Sequence, residues 1–216
     1  MPDIYPYMIE QWQQTSWLEL VAVFFSVVQV LLSYRNNVLL YPAGIIATGI
    51  YTWMLAQPHP GLYADATLNL YYFIMSIYGW YLWVQKTKAT EPLPITRCSP
   101  RDWKIALSIA GLAFLVFFVL LKYATPLIAY ITPSNVPVAD ALVAATAWSG
   151  MWLLARRKLE NWILLNISNA IAIPLFFYKH MPLTALLTLF LFTVAVFGYF
   201  RWKKLVDNKA SSSGIA

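Results

Sequence analysis

The chain has 216 residues, of which 60% are apolar and only 11% charged. So few charges cannot coat a soluble globule of this size, and the remaining surface must face lipid. One cysteine and two histidines leave no disulfide framework and no metal cluster, and no nucleophile and base lie near one another, so an intramembrane enzyme is excluded on inventory.

Residues 1–17 have no basic n-region and no small-residue cleavage site, so they read as an extracytoplasmic segment before a first helix that inserts uncleaved. Seven apolar windows follow, each close to the roughly 20 residues a spanning helix needs. The first three, at 18–34, 38–56 and 63–84, make up a unit over residues 18–84. Residues 85–104 form a basic loop that holds Cys98, an incidental thiol. Residues 105–138 carry a linker window at 105–121 and an outer loop. Windows at 139–155, 162–178 and 183–200 make up a second unit over residues 139–202, and residues 203–216 form a tail. The windows lack the alternation of barrel strands, so an all-α membrane protein is expected.

Lys and Arg sort by side. Thirteen of the fifteen fall at Arg35, in the 85–104 loop, at Arg156 to Lys158 and from Arg201 onward, leaving Lys122 and Lys179 on the other side. Cytoplasmic loops carry such an excess, which places the N terminus outside and the C terminus inside. The net charge of +6 then reflects topology and anionic inner lipids rather than nucleic acid.

Residues 37–83 and 161–202 follow one plan. Each opens with Asn, breaks at His-Pro or His-Met-Pro, and closes on Tyr78-Gly79-Trp80-Tyr81-Leu82-Trp83 or Phe197-Gly198-Tyr199-Phe200-Arg201-Trp202. Seven helices in a 3+1+3 arrangement keep the two units parallel, because the linker helix restores the direction of the second. Pro42 with Gly44, and Pro174, are expected to interrupt corresponding helices.

Trp162, Asn166 and Asn169 recur at helical spacing on one face. Asn69, Tyr72 and Ser76 do the same, with Trp80 a turn further on, and Thr188 corresponds to Asn69. Neutral amides and hydroxyls beside aromatic rings suit a flat, polar, cationic-ring vitamin. The bland reading of the Asn residues is interhelical glue, and that of the aromatic stripe is core or interfacial belt. Glu19, Asp65 and Asp140 lie near outer helix ends, where capping is the simple reading and ion coupling is disfavoured.

Leu62-Tyr63-Ala64-Asp65, the block Ser76 to Tyr81 with Trp83, and Glu160-Asn161-Trp162 followed by Asn166, Asn169 and Pro174-Leu175 resemble the PnuC family of vitamin transporters. The resemblance implies a SWEET-like fold, a homotrimer in the bacterial inner membrane, and facilitated diffusion of nicotinamide riboside, which a cytoplasmic kinase then traps. It implies no cofactor and no metal. The sequence departs from the family pattern at Leu165, where a second Trp is expected, and at Asn69, where Gln is common. Thiamine or a flavin precursor therefore stays open as the substrate. Asn169→Ala or Trp162→Ala is expected to weaken binding about tenfold while leaving the inserted protein intact.

Overall fold

Helices form wherever the sequence offers an apolar run with a start signal. The computed structural model describes residues 4–57, 63–86, 94–124 and 134–213. Eight α-helices lie among them. They are α1 (Tyr5–Gln14), α2 (Trp17–Tyr34), α3 (Leu40–Leu55), α4 (Tyr63–Lys86), α5 (Pro100–Val119), α6 (Pro137–Ala155), α7 (Asn161–Tyr178) and α8 (Pro182–Ser213). A π-turn, Leu120–Ala124, continues α5. Ser16 caps α2 by accepting the Glu19 N–H at 3.1 Å, and Ser99 with Asp102 forms a reciprocal capping box on α5. Pro100, Pro137 and Pro182 sit at helix starts, where a missing N–H costs nothing.

Each of the seven windows coincides with one of α2 to α8. Five helices are long and apolar enough to cross a bilayer: α2, α5 with its π-turn, α6, α7 and α8, whereas α3 is shorter. Helix α1 lay hidden in the N-terminal segment. It docks on the N-terminal end of α8, where Gln11 Oε1 accepts the Leu183 N–H at 2.8 Å and the Tyr7 ring stacks on His180 at 4.4 Å.

The helices pack in chain order. α3 lies between α2 and α4, α7 lies between α6 and α8, α4 touches α6, and α2 touches α8, so these six close into a ring. Helix α5 lies against α6, tied by Ser149 Oγ donating to the Ala106 carbonyl at 2.7 Å. The main core cluster joins Met151, Leu154, Trp162, Ala195 and Trp202 to Val30, Tyr72 and Met75, so it draws side chains from five of the six ring helices.

The same local devices occur at the α2–α3 and α6–α7 hinges. Asn36 (φ 57°) turns α2 into α3, and Arg157 (φ 55°) turns α6 into α7. Five residues on, Tyr41 and Trp162 each stack edge-on against a helix-end indole, at 6.1 Å from Trp83 and 5.5 Å from Trp202. Each ring also needs a facing glycine. A β-carbon on Gly79 would lie 2.2 Å from Tyr41, and one on Gly198 2.8 Å from Trp162. This spacing pairs Asn36 with Arg157 and Asn161 with Leu40, so the sequence pairing of Asn37 with Asn161 was three residues out of register.

The proline expectation is also corrected. Pro42 falls in the first turn of α3, where it interrupts nothing, whereas Pro174 lies inside α7. By the hinge register Pro174 faces the position of Trp53, so the two prolines do not correspond. The outer hinge at Pro58 to Pro60, Leu62, Lys88 and Pro133 lie outside the described residues.

Candidate functional site

Polar side chains on spanning helices are costly unless they are paired or used. Their positions therefore locate the site. Trp162, in the first turn of α7, is 1% exposed, and its indole Nε1 is buried without a partner. Tyr72 of α4 and Leu165 of α7 pack against the same core cluster, so the ring brings Trp162 and Tyr72 together. Asn166 has a buried Oδ1 without a partner, and Asn169 is half-buried on the same face of α7. On α4, Ser76 is 1% exposed and its Oγ has no partner either.

The other expected residues are less poised. Asn69 Nδ2 donates to the Asp65 carbonyl at 2.9 Å, and Thr188 Oγ1 donates to the Thr184 carbonyl at 2.8 Å, so both are satisfied by their own helices. Trp80 is 41% exposed and stands outside the core cluster. Trp162 and Asn166 also line a cavity of about 410 Å³ between α7 and α8. Its other walls are apolar, and Ile163, Ile167 and Phe200 there are exposed, so this cavity does not suit a polar vitamin.

One expectation about variants is overturned by the packing. Trp162 fills the space against Gly198 and Trp202, so Trp162→Ala would open a core cavity and cost about 3–5 kcal/mol rather than leave the fold intact.

Charges gather at the two ends. At the end where α7 passes into α8, Lys179, an exception to the sorting of basic residues, pairs with Asp140 at 2.7 Å. Asp140 also accepts from Ser134, so it anchors a loop rather than capping its helix. At the opposite end the segment before α5 is tied to the α6–α7 hinge. Thr96 bridges Lys158, Lys158 pairs with Asp102 at 2.9 Å, and the Cys98 N–H donates to Glu160 at 2.8 Å. Burial, with Glu160 beside it, pushes the Cys98 thiol well above its usual range, which makes it inert.

Arg157 was missed by the sequence reading. It is 2% exposed, donates from Nη2 to Asn36 Oδ1, and lies 3.8 Å over the Trp83 ring. Burial pushes its guanidinium down to about 10, still charged at neutral pH. Gln29, near the middle of α2, was missed as well, although an amide inside an 18-residue apolar helix is a visible signal.

Residues 16–204 match the family described as nicotinamide mononucleotide transporter. The chain belongs to that family. The proteins named nicotinamide riboside transporter PnuC in Escherichia coli (strain K12) and Shigella flexneri are each 23% identical to it, over 91% of this chain and 89% of theirs. A structure titled crystal structure of the vitamin B3 transporter PnuC superposes with a TM-score of 0.68 at 21% identity, covering 95% of this chain and 88% of that one. Membership makes the chain a multi-pass membrane protein of a transporter family, in keeping with its apolar helices.

Proposed function

We propose that this protein carries nicotinamide riboside down its gradient across a bacterial inner membrane, in seven spanning helices with the N terminus outside. The observation that carries the reading is a set of buried polar atoms without partners inside a transporter ring: Ser76 Oγ, Trp162 Nε1 and Asn166 Oδ1. Each such group costs about 1–3 kcal/mol. A ligand with an amide, hydroxyls and a flat ring would satisfy them and stack on Tyr72 and Trp162.

The parallel 3+1+3 repeat is supported by the two inner hinges and their glycine-aromatic pairs, and by a ring whose contacts are unchanged when the triplets are exchanged. Asn69, Asn169, Trp80 and Thr188 complete the proposed site as the substrate moves along the ring. The acidic residues of α2 to α8 lie in first turns, hinges or the C-terminal extension of α8 rather than mid-span, with Asp140 paired to Lys179 and Asp102 to Lys158, which favours uniport over ion coupling. Trapping by a cytoplasmic kinase and the homotrimer are carried over from the family resemblance.

A second reading, thiamine or a flavin precursor, is favoured by one feature. Leu165 stands where the family pattern has an indole, and it packs into Gly150 instead of offering a ring. Titration calorimetry with nicotinamide riboside, thiamine and riboflavin decides between them. Micromolar binding of the riboside alone supports the first reading, and preference for either other vitamin replaces it.

A further inference from the structure

Helix α2 is apolar through its middle except for Ser26 and Gln29. Ser26 is satisfied locally, donating to the Ala22 carbonyl at 2.9 Å. Gln29 is not. It is half-buried, and among the described residues no hydrogen bond satisfies its carboxamide. An unpaired amide at that depth in a spanning helix marks a functional position unless something packs it shut.

Gly44 shows where the side chain goes. A β-carbon there would lie 2.7 Å from Gln29 Nε2 and 2.8 Å from Ser76 Oγ. The amide from α2 and the hydroxyl from α4 thus bracket one point on α3. Because α3 stands between α2 and α4, the two groups reach Gly44 from its two neighbours, and the burial of Gly44 and Ser76 puts that point inside the protein. The Ser76 hydroxyl is itself 1% exposed and without a partner, so two polar groups from different helices converge with neither satisfying the other. The second triplet does not repeat this. There Gly150 of α6 receives Leu165 of α7, an apolar contact, and no amide enters the ring from α6.

We infer that Gln29, with Ser76, forms a substrate-binding subsite that reads a neutral donor-acceptor group of the substrate, its carboxamide in the first instance. The inference rests on the transport reading above and adds a residue and a helix to its site. A carboxamide offers one acceptor and two donors, which matches another amide and mismatches a carboxylate. Gly44 is small because a side chain there would displace both groups.

The test is calorimetry on the full-length protein in detergent, with nicotinamide riboside, nicotinic acid riboside, thiamine and riboflavin against wild type, Gln29→Met, Gln29→Glu and Ser76→Ala. Gln29→Met keeps the length and packing of the side chain and loses its hydrogen bonds. The expected result is at least about tenfold weaker riboside binding by Gln29→Met at an unchanged thermal midpoint. Ser76→Ala is expected to weaken binding while raising the midpoint, because it removes an unsatisfied buried hydroxyl, and a packing role would not give that pair of effects. Gln29→Glu is expected to weaken riboside binding, because a carboxylate accepts only and leaves the amide oxygen without a donor, and to reject nicotinic acid riboside more strongly than wild type does. It serves as the deciding variant if Gln29→Met does not fold.

Wild-type affinity in Gln29→Met overturns the inference while leaving the transport reading intact. If wild type binds thiamine or riboflavin instead, the substrate assignment fails, and the same Gln29→Met comparison on that ligand still decides the subsite. If wild type binds none of the four, both fall.

Discussion

Arg157 Nη2 donates to Asn36 Oδ1, joining the α6–α7 hinge of the ring to the α2–α3 hinge. Both residues hold left-handed backbone, and the guanidinium lies over Trp83 with Nε and Nη1 unpaired. A second tie, Trp202 Nε1 donating to the Ser33 carbonyl at 3.0 Å, crosses the same seam. The ring is therefore fastened at this end by one buried cation and one indole.

Asn36→Gly keeps the backbone turn and deletes the acceptor. It should cost about 1.5–3 kcal/mol, since a buried charged donor loses its partner. Asn36→Ala should cost about 1 kcal/mol more, because alanine resists the left-handed region. Thermal unfolding in detergent checks the order, and equal midpoints for the two variants would contradict it.

Gly79→Ala and Gly198→Ala force a methyl into Tyr41 and Trp162, and each should destabilise by about 1–3 kcal/mol. Gly111 of α5 has open space where its β-carbon would be, so Gly111→Ala should be neutral or stabilising by up to about 1 kcal/mol. Midpoints measured side by side test the contrast.

Much of this was legible beforehand. The positions of α2 to α8 followed from apolar length, and the sequence blocks around Gly79 and Gly198 already marked the two glycines that face aromatic rings. Helix α1 escaped because its ten residues are held by docking through Gln11 and Tyr7 rather than by an apolar run. Arg157 escaped because a basic residue in an inner loop reads as a solvated charge, and only the fold shows it buried against Trp83. Spacing puts Trp162 on one face of α7 with Asn166 and Asn169, but its packing against Gly198 in the core depends on a contact between helices that no spacing reveals.

Asn169→Ala should weaken substrate binding by about tenfold with little change in stability, since Asn169 is only half-buried. Trp162→Phe is the informative change at its site. It removes the indole N–H together with the outer ring edge that lies against Gly198, so both the affinity and the thermal midpoint should fall, the midpoint by less than in Trp162→Ala. Calorimetry and unfolding of the same preparations give both numbers.

Orientation is tested by labelling. In intact cells a membrane-impermeant maleimide should modify Lys179→Cys and spare Lys203→Cys, and permeabilised cells should show both. The reverse pattern would place the N terminus inside.

The most direct test of the central claim is uptake of labelled nicotinamide riboside into liposomes containing only this protein, with no ATP and no ion gradient. The account predicts uptake that stops when the inside concentration equals the outside, and that Gln29→Met and Asn169→Ala slow at low substrate. No uptake, or uptake only when a proton or sodium gradient is imposed, would contradict it.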